Sequence, residues 1–208
     1  ILTNGPTLTS CAAVHLHGSS TLTSPKQSYA VDFCDELNND LDQTPLGFPA
    51  DSEFILYGPD TYEPVLMHNP LMYQLSNDAG RYASRTRFVE VYLNTTGGPV
   101  TPGNYNGIYV LEEKIKWGQD RVNISKLHSV DNLHPQDNSG TNVTGGYIAK
   151  VDRLDTGESG FSADGQLSEY DYPKEFDIKT PQRGPQQQYL VGYMTNFAAV
   201  VNSTNYAD

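Results

Sequence analysis

His15 and His17 stand two residues apart within Cys11–Gly18. In a strand that spacing turns both imidazoles to one side, as the first two ligands of a zinc ion would require. No third ligand is spaced to accompany them, so they read as a surface or edge pair. The run Asp35–Asp42, Asp-Glu-Leu-Asn-Asn-Asp-Leu-Asp, offers alternate oxygen ligands of the kind calcium takes, yet it lacks the glycine at the sixth loop position of an EF-hand and reads as a solvated loop. Aspartates and glutamates are numerous, but no two are spaced on one element as glycoside hydrolysis demands. Gly-x-Ser-x-Gly, His-Glu-x-x-His, a Walker loop, Gly-x-Gly-x-x-Gly, His-Arg-Asp and Asp-Phe-Gly are all missing. What is left is a cysteine pair, Cys11 and Cys34, and four Asn-x-Ser/Thr sites at Asn94, Asn123, Asn142 and Asn202 that could accept glycans.

The elements that must position these groups follow from periodicity. Residues 11–18 and 28–34 alternate apolar and polar positions on either side of a polar connection containing Pro25, the pattern of a β-hairpin with one buried face. A symmetric register brings Cys11 opposite Cys34 and predicts a disulfide in an oxidising compartment. Glu53–Tyr57 reads as a short strand ended by Gly58-Pro59. Asn69-Pro70 then opens a helix, with Asn as cap and Pro at the first position, and Leu71, Met72, Leu75 and Ala79 form an apolar stripe expected to pack on the sheet. Residues 87–93 and 106–113 read as an antiparallel hairpin with a Gly/Pro-rich loop. Beyond Trp117 the chain is loop-rich to a strand at 146–151, then dominated by Asp, Gly, Ser and Pro over 154–185. A final helix carries Tyr189 or Leu190, Tyr193, Met194, Phe197 and Val201 at helical spacing. This order predicts an α+β chain, one two-lobed domain with parts at 1–117 and 118–208.

Composition excludes more than it proves. With 25 acidic against 13 basic residues the net charge is −12, which repels nucleic acid, and no Lys/Arg cluster makes a local exception. No apolar run approaches the roughly 20 residues a bilayer needs, so membrane insertion is not expected. Without an initiator Met or a leader pattern, Ile1 is the expected start of a processed or truncated product.

Several strings in order resemble one family. Ser24-Pro25-Lys26-Gln27-Ser28-Tyr29, Leu46-Gly47-Phe48-Pro49 and Asn69-Pro70-Leu71-Met72-Tyr73 resemble the opening of the CotH kinase family. Residues 80–94 resemble its central strand, and Tyr105–Ile115, Tyr-Asn-Gly-Ile-Tyr-Val-Leu-Glu-Glu-Lys-Ile, is similar to its most recognisable motif. Arg121-Val122-Asn123-Ile124, Gly145-Gly146-Tyr147-Ile148 with Asp152, and Tyr172-Pro173-Lys174 extend the match over about residues 13–200.

The resemblance implies a remote protein-kinase-like fold that uses ATP with Mg or Mn to phosphorylate Ser/Thr of an exported or surface protein. It implies Lys26 as the cation for the nucleotide phosphates. It also places Glu113, or its backbone, beside the nucleotide, with Glu112 facing the other way, and it gives Asp152 an orienting role. His17-Gly18 and His68-Asn69 stand where the family more often has Arg-Gly and Arg-Asn, which removes always-charged forks that His does not replace at neutral pH. The family's metal-binding and catalytic carboxylates match nothing in residues 1–208, so no catalytic or metal residue is assigned and the isolated segment is expected to be inactive. A secreted or cell-surface setting is expected. The alternative is a non-catalytic adhesion or structural module on the same scaffold.

Overall fold

The computed structural model describes residues 8–127, 135–151, 160–161, 176–180, 184–201 and 203. It divides into two compact units, residues 1–122 and 123–208.

The first unit is built on a five-stranded antiparallel sheet. Its strands are β1 (Cys11–His17), β2 (Ser28–Cys34), β3 (Glu53–Tyr57), β4 (Thr86–Tyr92) and β5 (Tyr105–Glu113), with helix α1 (His68–Asp78) between β3 and β4. The spatial order is β1-β2-β3-β5-β4. The two expected hairpins are present, and β1 pairs with β2 in the symmetric register, Cys11 opposite Cys34.

Directly opposed residues share a face, so the register sorts the side chains. One face carries Val31 and Phe33, Phe54 and Leu56, Tyr109 and Leu111, and Val89. From the loop before β3, Phe48 stacks on Phe54 with ring centroids 5.8 Å apart and planes 10° apart, while Phe33 meets Phe54 edge-on at 5.9 Å. These residues form the core of the unit, and burying each phenyl ring contributes about 1.5–3 kcal/mol. The opposite face carries the cross-strand row His15, Ala30, Ile55, Glu112 and Thr86.

Helix α1 departs from expectation at its start and in its orientation. It begins at His68, and the capping acceptor is Glu63: its Oε1 accepts the N–H groups of Met67 and His68, each at 3.2 Å, in place of Asn69. The stripe expected inward faces outward, with Leu71, Met72 and Leu75 46%, 61% and 52% exposed. The inward line is Pro70, Tyr73 and Asn77, one helical turn apart. Polar bonds fix this rotation. Asn77 donates to the Ala83 carbonyl and accepts the Ala83 N–H, each at 3.0 Å, and the Ser76 hydroxyl donates to the Arg81 carbonyl at 3.0 Å. The helix ends in a Schellman turn: the Arg81 N–H bonds the Ser76 carbonyl and the Gly80 N–H bonds the Asn77 carbonyl, with Gly80 at φ +75°.

The second unit contains a three-stranded antiparallel sheet, β6 (Ile148–Val151), β7 (Gly160–Phe161) and β8 (Phe176–Thr180), in the order β6-β8-β7, and helix α2 (Gly184–Val201). Strands β7 and β8 lie in the stretch read as irregular. Along α2 the buried positions are Gln186, Leu190 and Ala198, whereas Tyr193, Phe197 and Val201 of the expected stripe are exposed. The buried Gln186 amide donates to the Asp137 carbonyl at 2.9 Å, and Tyr147 stacks on Tyr189 at 5.9 Å.

The expected disulfide is not formed. The Sγ atoms of Cys11 and Cys34 are 3.8 Å apart and both thiols are free. The register is as expected; what separates this contact from a bond of about 2.05 Å is an oxidation step and a small approach of the two sulfurs.

Candidate functional site

Strand β5 has a different chemical environment at each end. At its start lies Lys26, on the connection between β1 and β2. Its ammonium donates to the Ile108 carbonyl and sits 4.7 Å from the centroid of the Tyr109 ring. Burial pushes its pKa down, and Asp60 pulls part of the way back. An ammonium has three donors, so the bond to Ile108 leaves two for a ligand. Two acceptors at this end, Gln27 Oε1 and Asp60 Oδ2, are buried without a hydrogen-bond partner among the described residues. Gly58 keeps the connection close to β5: a Cβ there would meet the Gln27 carbonyl oxygen at 2.6 Å and the Tyr109 ring at 2.7 Å.

At the far end of β5, Glu113 is wholly enclosed. Arg85 Nη1 meets its Oε1 at 2.5 Å, and Arg121 is also ion-paired to that oxygen. Oε2 accepts the Tyr82 hydroxyl at 3.1 Å and the Arg85 N–H at 3.0 Å, and the Glu113 carbonyl accepts the Ser84 hydroxyl at 2.9 Å. Arg121 lies over the Phe54 ring, its guanidinium carbon 5.0 Å from the centroid, and its Nε reaches Asp51 at 3.3 Å. A second layer joins Asp51 and Glu53 to Lys116 at 2.8 and 2.6 Å, and Glu53 to Lys114. Burial alone would raise both of these carboxyls; the lysine partners hold them below the ordinary range instead.

Lys26 and Glu113 are therefore not side by side. From Ile108 to Glu113 the strand runs about 17 Å at roughly 3.3 Å per residue, and the Tyr109, Leu111 and Phe54 core fills the face between them. The Glu113 side chain has no capacity left for a ligand. Its neighbour Glu112 points to the other face, as expected. It is half-buried there: its Oε2 is enclosed with no partner among the described residues, and burial raises its pKa to about 7. Sequence reasoning missed this group and the roles of Arg85 and Arg121. Two glutamates in succession at a strand end require one on each face, and the nearby arginines were the available hint to which would be paired.

The Nδ1 of His15 is 3.7 Å from Asp32, and the His17 imidazole is depressed first by burial and then by Lys114 and His15. His68, where the family more often has Arg, pairs through Nδ1 with Glu63 at 2.7 Å. In the acidic loop, Asp35 caps its own turn: Oδ1 accepts the N–H groups of Leu37 and Asn39 at 2.8 and 2.9 Å, and Oδ2 accepts the Asn39 amide at 3.0 Å. Asn94 closes the loop after β4, donating to the Gly98 carbonyl at 2.5 Å and accepting the Thr96 hydroxyl at 2.7 Å, while Asn123 and Asn142 are exposed. Asp152 and Asn202 lie outside the described residues. Among the described residues no group of three or more His, Cys, Asp and Glu could hold a metal ion, and no helix is long and apolar enough to cross a membrane.

The class these observations define is mixed α/β: a five-stranded antiparallel sheet with one helix between its third and fourth strands and a cation on its first connection. The chain belongs to the CotH kinase family, whose sequence model, described as CotH kinase protein, matches residues 14–208. No curated protein and no solved structure matches it. The family implies nucleotide and metal use in general terms. Lys26 fits the phosphate part of that requirement, because its ammonium is positioned and keeps two donors. The described residues do not fit the metal.

Proposed function

We propose that the chain is the sheet-bearing part of a CotH-type ATP-dependent Ser/Thr protein kinase domain with a remote protein-kinase-like fold, belonging to an exported or cell-surface protein. The observation that carries this reading is Lys26, a partly desolvated ammonium held on the β1–β2 connection by the Ile108 carbonyl and the Tyr109 ring. A phosphoryl-transfer site needs one positioned positive charge against the phosphates before it needs anything else. The element order supports the reading, since the helix between the third and fourth of five antiparallel strands is the small-lobe plan the family implies.

In this reading the phosphates lie at Lys26, at the start of β5. Glu113 fixes the far end of β5 through Arg85 and Arg121 and does not touch the ligand. The carboxylates that hold the metal and orient the acceptor hydroxyl belong to family segments with no counterpart in residues 1–208, so these residues alone transfer no phosphate. The partner is an exported or surface protein, and Asn94, Asn123, Asn142 and Asn202 are the positions at which such a chain would carry glycans.

Titration calorimetry with ATP and manganese or magnesium tests the reading. Losing a hydrogen bond to a charged group costs about 1.5–3 kcal/mol, so Lys26→Ala weakens ATP binding by at least about tenfold. Equal affinity in the variant removes Lys26 from the site. A wild-type chain that binds no ATP leaves the non-catalytic adhesion or structural module as the surviving reading.

A further inference from the structure

The two edges of the five-stranded sheet are finished differently. Strand β4 carries the charged side chains Arg87 and Glu90, and its pairing with β5 shifts at a bulge between Val91 and Tyr92. Charges, prolines and bulges are what keep an edge from taking up a further strand. Strand β1, at the other edge, has none of them: its register with β2 is unbroken from Cys11 to His17, it contains no proline, and residues 1–25 hold no Asp, Glu, Lys or Arg. Every residue of β1 is exposed except the half-buried Ala12. The direction of its backbone groups follows from β2. The Phe33 N–H bonds the Ser52 carbonyl and the Phe33 carbonyl accepts the Leu41 N–H, so the Phe33 backbone faces away from β1. Antiparallel pairing alternates residue by residue. Cys11, Ala13, His15 and His17 are therefore bonded to β2, while the N–H and C=O groups of Ala12, Val14 and Leu16 point off the free edge. Those groups have no hydrogen-bond partner among the described residues.

The side chains of β1 sort with this edge. Val14 and Leu16 lie on the core face opposite Val31 and Tyr29, 54% and 55% exposed, and His15 and His17 lie on the other face. A strand laid along this edge covers the two aliphatic side chains with its own apolar residues and sets polar ones beside the imidazoles. Past the Cys11–Cys34 end of the hairpin the chain turns into the acidic loop, where Glu36, Asp40 and Asp42 are exposed. We propose that β1 is the docking edge for an extended segment of another protein, added antiparallel as a sixth strand, alternating aliphatic with polar residues and carrying Lys or Arg at its carboxyl-terminal end. An antiparallel strand finishes beside Cys11, so its basic end meets the acidic loop, and the net charge of −12 draws such a segment in. A second copy of the chain fits less well. It brings the same −12, and residues 1–25 contain no Lys or Arg to meet the other copy's acidic loop. Strand addition at this edge is independent of nucleotide binding at Lys26.

The probe is a fluorescently labelled peptide, Thr-Val-Thr-Val-Thr-Lys-Lys, titrated into the full chain and followed by anisotropy, with amide exchange at Ala12, Val14 and Leu16 read by NMR. In the dilute chain these three amides exchange freely, and they slow in step with peptide binding. Replacing the terminal Lys-Lys by Glu-Glu weakens binding by about tenfold. Val14→Lys sets an edge-protecting charge at an exposed position without removing a β1–β2 hydrogen bond, and weakens binding by about tenfold or more. Absence of binding, equal affinity for the two peptides, undiminished binding by Val14→Lys, or binding that leaves the three amides unchanged overturns the proposal. So does protection of these amides in the dilute chain alone. Protection that grows with chain concentration in the absence of peptide assigns the edge to a second copy and likewise overturns it. If Val14→Lys does not fold, the wild-type amides and the two peptides still decide.

Discussion

The two faces of the five-stranded sheet treat adjacent glutamates in opposite ways. On the core face Glu113 is enclosed together with two arginines, a tyrosine hydroxyl and a backbone N–H, so its charge is satisfied at every oxygen. On the other face Glu112 is half-buried, with one oxygen enclosed and without a hydrogen-bond partner among the described residues. Glu113 is buried and paired, whereas Glu112 is half-buried and its enclosed oxygen is not. A carboxyl that is wholly enclosed must bring its partners with it, whereas one that still reaches the surface needs none.

The largest effect expected from breaking this contrast is at the paired residue. Glu113→Ala leaves Arg85 and Arg121 without their shared acceptor and costs about 3–5 kcal/mol, read as a lower urea midpoint at unchanged slope. If the loss were below 1 kcal/mol, the pairing would not hold the strand end. A smaller effect, of opposite sign, is expected where the open face meets its edge strand. Oxidation of Cys11 and Cys34 to a disulfide stabilises the unit by about 3 kcal/mol in the chain-entropy model, and non-reducing peptide mapping of the native protein shows whether it occurs. Two free thiols after mild oxidant treatment would contradict the cross-strand register. The smallest effect belongs to α1. Leu75→Ala shifts stability by no more than about 0.5 kcal/mol, the range of an exposed position, where an inward stripe would have cost about 2–5 kcal/mol. A loss in that larger range would show that the helix buries its aliphatic side.

What was legible in the sequence was the local pairing. The alternation in residues 11–34 fixes the β1–β2 register to the residue, and the Gly-Ile-Tyr-Val-Leu-Glu-Glu segment reads as the long strand β5, because period-2 patterning and short connections act within one stretch of chain. The rotation of α1 was not legible. Its aliphatic stripe is the stronger signal in sequence, but the orientation is set by Asn77 and Ser76 binding residues that follow the helix and by Glu63 binding residues that open it. Helix α2 repeats the lesson, with a glutamine at its most buried position. Strands β7 and β8 escaped notice because the surrounding Asp, Gly, Ser and Pro carry no alternation to read. For the site, Lys26 came from resemblance alone, and the division of labour between Glu112 and Glu113 needed the register of three strands at once.

The position of β3 has a consequence for assembly. Each hairpin joins residues about a dozen positions apart, as in His17 with Ser28 and Tyr92 with Tyr105. The seam between β3 and β5 joins Tyr57 to Val110 at its near end, about 50 positions apart, and the entropy of closing that larger ring is roughly 1 kcal/mol greater. The two hairpins can therefore form as separate ribbons, each from its own length of chain, while the sheet becomes continuous only when β3, already carried by β2, meets β5. Phe54 lies in that seam and touches Phe33 on one side and Phe48 on the other. The largest loop-closure cost in this sheet falls along this line, and the chain between the two ribbons, α1 included, is the tether that spans it.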